Sequence, residues 1–109
     1  MHPNKLEELR KFSDPEYVKQ KAKLMGLNPV HESSRKDKKY MVFDGHKMVH
    51  FGQMGYEDAT KHHDLDRINR FRNRNKKWQY SPKYSPAYLS WFLLWQFNYF
   101  IIKIIKCLR

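Results

Sequence analysis

A single cysteine, Cys107, stands among 109 residues, which leaves no partner for an intramolecular disulfide and no thiolate set for a structural zinc site. The expected setting is therefore a reducing, cytoplasm-like compartment. Glycines number only 4, and none builds a phosphate-cradling loop or a nucleophile elbow. Carboxylates are scarce as well, 11 Asp plus Glu against 22 Lys plus Arg. Those that would have to serve acid–base chemistry, Asp58, Asp64 and Asp66, lie beside basic residues that keep them ionised. The stretch Met1 to Phe12, MHPNKLEELRKF, lacks the apolar run of a secretory leader. These absences together predict a protein that is not an enzyme and takes no cofactor.

What is abundant is positive charge and aromatic area. The formal net charge is +11, and such a field selects polyanions: nucleic acid, an anionic membrane surface or an acidic protein face. Aromatic residues make up 16% of the chain, so a few large rings carry much of the buried surface of a domain this small.

The pattern along the chain predicts an α+β fold. Asn4 caps a short helix with Leu6 and Leu9 on one face, and Asp14 caps a second with Pro15 at its first position and Val18, Ala22 and Met25 on one side, until Gly26 stops it. Residues 28–39, NPVHESSRKDKK, show no period and read as a loop or ragged edge strand. Tyr40 to Phe43 and Lys47 to Phe51 flank Asp44-Gly45, a hairpin signature. Gly52 and Gly55 bracket the next turn. From Tyr56 to Trp78 nothing breaks the chain, which predicts a long basic amphipathic helix, or a short one followed by a longer one. Leu65, Ile68, Phe71 and Trp78 fall on its apolar side, and Arg67, Arg70, Arg74 and Lys77 on an adjoining side.

After the connector YSPKYSP, an aromatic-rich helix is expected from Ala87 onward. Tyr84 to Ile102 is 19 residues without a charge, but Pro86 trims its helical part, and Gln96 and Asn98 interrupt its apolar surface. A buried or interfacial helix is therefore expected rather than a span, with membrane association through the tail as an additional partner reading.

Two clusters of residues bear on chemistry. His50, His62, His63, Asp58 and Asp64 are the residue types of a mixed His and carboxylate metal site, but His62 and His63 are adjacent and point about 100° apart on a helix, so no metal is expected. The basic stretch is better founded. Between Lys61 and Lys83, eight Lys or Arg stand against two Asp. Arg67, Arg70, Arg72, Arg74, Lys76 and Lys77 are the predicted contacts to phosphate oxygens of nucleic acid or another polyanion. The opposing reading is that Arg67 and Arg70 pair with Asp64 and Asp66 and merely support the helix. Trp91 and Trp95 are the candidate protein-interface residues.

The blocks KKYMVF, VHFGQMGYED, TKHHD, RFRNRN with Trp78, and KYSPAYLSWFLLW, in that order, resemble a small domain encoded mainly by large double-stranded DNA viruses of eukaryotes. The resemblance covers Lys38 to Trp95. Where Ala59 stands that family tends to have an aromatic residue, which implies looser packing near His62. Its members also tend to stop soon after the LLW block, which makes QFNYFIIKIIKCLR an appended tail. The chain thus divides into an N-terminal helical segment (1–27), a hairpin-plus-helix core (28–95) and an apolar, basic tail (96–109). No activity follows from the resemblance. A viral origin implies work in a cytoplasmic factory or in the virion. The leading expectation is a non-catalytic polyanion-binding protein. The alternative is a minor virion or capsid-associated protein that binds other proteins through its aromatic C-terminal segment.

Overall fold

Helix α1 (Asn4–Arg10) opens the computed structural model, which describes residues 4–96. Helix α2 (Pro15–Leu24) starts as its caps dictate: the Asp14 carboxylate accepts the Tyr17 N–H at 3.1 Å, and Pro15 occupies the first turn, where no N–H is needed. It stops in a Schellman turn. Gly26, at φ +74°, donates to Lys23 O, and Leu27 donates to Ala22 O at 2.9 Å.

A three-stranded antiparallel sheet follows in the order β1 (Val30–Glu32), β2 (Lys38–Phe43), β3 (Met48–Gln53). The first of these is the edge strand that the polar run 28–39 left undecided. In the hairpin, Phe43 pairs with Met48, so the turn takes the four residues Asp44 to Lys47. The Asp44 side chain closes it by accepting the N–H groups of His46 (2.7 Å) and Lys47 (2.9 Å). Alternation sends Tyr40, Val42, Val49 and Phe51 into the core. Gly52 belongs to β3 and not to the following turn. A Cβ at that position, where φ is +82°, would lie 2.9 Å from Leu94 Cδ1, so glycine is what lets the C-terminal segment approach the strand.

Between Tyr56 and Trp78 the chain forms two helices, the second of the two arrangements expected. Helix α3 (Ala59–His62) ends at His63, which is left-handed at φ 54°. Asp64 then caps α4 (Leu65–Arg74) by accepting the N–H groups of Asp66 (3.0 Å) and Arg67 (3.2 Å). A 3-10 turn, Lys76–Tyr80, completes the stretch. Leu65 is corrected by this geometry. At the first turn of α4 it is 61% exposed, whereas Ile68 is buried and Phe71 and Trp78 are half-buried.

The aromatic helix expected from Ala87 onward is present and begins at Pro86. Helix α5 (Pro86–Leu89) passes directly into a π-turn, Ser90–Leu94, closed by Trp95 N–H donating to Ser90 O at 3.1 Å. Among the described residues no helix is long and apolar enough to cross a membrane. Of the tail read for membrane association, residues 96–109, all but Gln96 lie outside the described residues. Leu9, Tyr17, Val18 and Ala22 share one core with the sheet and with Leu89, Leu93 and Leu94. The N-terminal helices are therefore part of the hairpin domain and not a separate unit.

Two buried lysines tie this core together. Lys39, read from sequence as the end of a polar loop or ragged edge strand, is 2% exposed, and its Nζ donates to Asp58 Oδ2 (3.0 Å), Tyr56 O (2.6 Å) and Phe12 O (3.2 Å). Tyr40 Oη donates to Ser13 Oγ at 2.6 Å, Ser13 Oγ lies 3.2 Å from Thr60 Oγ1, and Thr60 Oγ1 donates to Asp58 Oδ1. Each hydroxyl thus spends its one proton toward the carboxylate. Burial, reinforced by Asp58, holds the Tyr40 phenol well above its ordinary pKa. Lys21 does the same work between α2 and the π-turn, donating to Phe92 O, Gln96 O (3.1 Å) and Gln96 Oε1 (3.0 Å).

Candidate functional site

The face of α4 that carries Arg67, Arg70 and Arg74 looks into a cleft of about 760 Å³ between that helix, β3 and the α5 segment. The spacing explains the grouping. Residues i, i+3 and i+7 share one helical face and, at 1.5 Å of rise per residue, span about 10 Å of axis. Arg67 has a carboxylate neighbour, Glu57 at 3.6 Å, but both side chains are more than 40% exposed and the pair is screened by solvent. Among the described residues, Arg70 and Arg74 have no ion-pair partner. Neither Asp64 nor Asp66 forms an ion pair with the stripe among the described residues, and Asp64 Oδ1 accepts the two N–H groups of the helix cap.

Rings form much of the remaining wall. Phe71 and Trp95 are stacked at 3.9 Å and 7°, and Trp78 meets Phe71 edge-on at 5.5 Å and 81°. Tyr56 also lines the cleft. Its backbone carbonyl is held by Lys39, yet the residue is 71% exposed. The Lys39 and Asp58 pair reaches the cleft floor, but all three ammonium protons and both carboxylate oxygens already have partners inside the protein. That pair is structural.

Other predicted residues are placed elsewhere. Arg72 points away from the cleft, with its guanidinium 4.1 Å from the centre of the Trp91 ring and Nη1 donating to Trp95 O at 3.4 Å, and burial lowers its pKa. It braces α4 against the π-turn. Lys76 and Lys77 are exposed on the 3-10 turn and do not line the cleft. Trp91, expected at a protein interface, is only 2% exposed, because the π-turn carries its ring beneath Arg72. Trp95 lies between Phe71 and His62.

The histidines are not brought together. Among the described residues no three His, Cys, Asp or Glu side chains lie close enough to hold a metal ion. His62 Nδ1 accepts the Asp64 N–H at 2.9 Å, and His63 Nε2 lies 2.9 Å from Thr60 O. Burial first, and Arg67 second, lower the pKa of His62. His50 lines the cleft and is lowered in the same way, by burial first and Arg35 second. Ser33 Oγ accepts the Arg35 N–H (3.0 Å) and lies 2.6 Å from His50 Nδ1.

Sequence reasoning missed Tyr56 as a site residue and named His50 only for metal. Their neighbourhood with the arginines comes from a cleft lined by several elements of the chain, which leaves no local signal. The one available hint was a large ring set just after Gly55.

Residues 29–79 match a family described as "Family of unknown function (DUF5754)". The matched stretch is under half the chain and takes in all of the quoted blocks except KYSPAYLSWFLLW. Neither the curated proteins nor the solved structures include a match.

Proposed function

We propose that this protein is a non-catalytic binding module that receives a phosphate-bearing polyanion, nucleic acid foremost, in the cleft walled by Arg67, Arg70 and Arg74. The observation that carries this reading is that three arginines of one helical face line one concavity while two of them have no carboxylate partner among the described residues. Guanidinium forks match phosphate oxygens in pairs. The block resemblance adds to the proposal a virus-encoded protein at work in a cytoplasmic factory or packaged in the virion, where nucleic acid is the abundant polyanion. The alternative, a virion component that binds other proteins through Trp91 and Trp95, draws less support, since Trp91 is covered by Arg72.

The test is affinity for nucleic acid as a function of salt. With three phosphate contacts, the slope of log K against log salt is expected near −2 for a single strand and near −3 for a duplex, from roughly 0.7 and 0.9 per contact. Replacing Arg67, Arg70 and Arg74 together by Gln is expected to remove most of that slope. Replacing Arg10 of α1, which is tied to Glu16 of α2, should leave it unchanged. Wild-type affinity that is indifferent to salt contradicts the proposal.

A further inference from the structure

The arginine cleft is one of two that meet. A second, of about 460 Å³, adjoins it and shares His50 and Pro86 in its lining. It too is basic: Arg35, Lys47 and Lys83, all exposed, face one carboxylate, Asp44. That carboxylate already accepts the N–H groups of His46 and Lys47, which hold its pKa below the ordinary range. Cations therefore continue from the α4 face, past His50, to the tip of the hairpin.

We infer that the ligand is a single strand of nucleic acid, lying through both clefts with its phosphates on the two sets of cations and a base stacked on Tyr56. This rests on the polyanion reading of the arginine cleft and narrows it to one substrate class.

Three features separate a single strand from the other polyanions. The first is concavity. A duplex is gripped by a helix that projects into its groove, whereas the arginines of α4 face inward, toward β3 and the α5 segment. A single strand can enter a cleft of that size, and the row of about 10 Å matches about three phosphate-to-phosphate steps at a stacked-strand spacing of about 3.4 Å. The second is composition. A pure polyphosphate or sulfated sugar has no use for rings, yet Tyr56, Phe71, Trp78 and Trp95 line the same cleft as the arginines. Cationic grooves interleaved with aromatic platforms are the physical means of holding single strands without reading their sequence. Tyr56 is the ring best placed to stack, since its backbone is fixed through Lys39 and its face is not consumed by the core. The third is continuity. Two basic clefts joined at His50 suit a linear polymer better than a compact anion.

The experiment compares four probes on the full chain: a 12-residue oligothymidylate, a 3-residue oligothymidylate, a 12-base-pair duplex and heparin. The expected result is at least a tenfold preference for the long single strand over the duplex. Tyr56→Ala should weaken the long single strand roughly tenfold, with Tyr56→Phe restoring it and heparin affinity unchanged. Lys47→Gln combined with Lys83→Gln should weaken the 12-residue strand several-fold and leave the 3-residue strand untouched. These are exposed positions, so folding is not at stake. A duplex or heparin that binds as tightly as the long single strand, with Tyr56→Ala indifferent, overturns the single-strand inference while the polyanion reading stands. If none of the four probes binds, both fall.

Discussion

Asp58→Asn is expected to destabilise the protein by about 3–5 kcal/mol, the usual cost of breaking a buried ion pair by removing one partner. The carboxylate is 1% exposed and takes Lys39 on one oxygen and Thr60 on the other. An amide there presents an NH₂ to one of these donors and leaves the Lys39 ammonium buried without its counter-charge. The damage spreads, because Thr60 also receives the Asp14 N–H at 2.9 Å and stands next to Ser13 and Tyr40 in the hydroxyl chain. For a domain of about this size, each kcal/mol moves the melting temperature by about 4–8 °C, so a fall of at least 12 °C is expected by calorimetry. Lys39→Met alone should cost a similar amount. Combining the two changes should cost clearly less than their sum, since neither charge is then left alone. A melting temperature within 3 °C of wild type for Asp58→Asn would show that the pair does not hold the hairpin to the α1–α2 junction.

The second large effect concerns pH. Lys21 is 2% exposed, and its burial, reinforced by the Arg72 charge, pushes its ammonium down to about 7. In the unfolded chain the same group titrates near 10.5. Between those values the unfolded state holds a proton that the folded state has given up, so folding stability rises with pH across the window. From pH 7 to pH 9 the gain is about 2 kcal/mol, at 1.36 kcal/mol per unit less the fraction already deprotonated at pH 7. Urea unfolding at a series of pH values reads this directly. Lys21→Met keeps the side-chain volume and removes the charge, and its stability should be nearly flat over the same range. A wild-type curve no steeper than that of Lys21→Met would mean that the three surrounding oxygens keep the ammonium charged.

Much of the local architecture was legible because it is written in short-range signals. Asp14-Pro15 starts α2, Gly26 ends it, and Asp44-Gly45 marks the hairpin turn; each acts through its own or the next few backbone groups. The α+β class follows from the same signals. The break at His63 was harder to read, because a non-glycine residue adopts the left-handed conformation there and Asp64 looked like an ion-pair partner when it is a cap. The arginine row was visible from helical spacing, which also explains why Arg72, off that face, does not join it. The buried lysines were not legible. Whether a lysine is solvated or enclosed depends on what the chain brings back to it from 17 to 75 positions away, as with Tyr56 to Lys39 and Gln96 to Lys21. The opposite wall of the cleft was hidden for the same reason.

The central claim is that the cations of one helical face, and not the general positive charge of the surface, receive the polyanion. Arginine Nε–Hε resonances followed by NMR during titration with a 3-residue oligothymidylate test it most directly. The account predicts that Arg67, Arg70 and Arg74 shift together while Arg10 and Arg72 stay in place. Equal shifts at all five arginines, or shifts that bypass the α4 face, would contradict it.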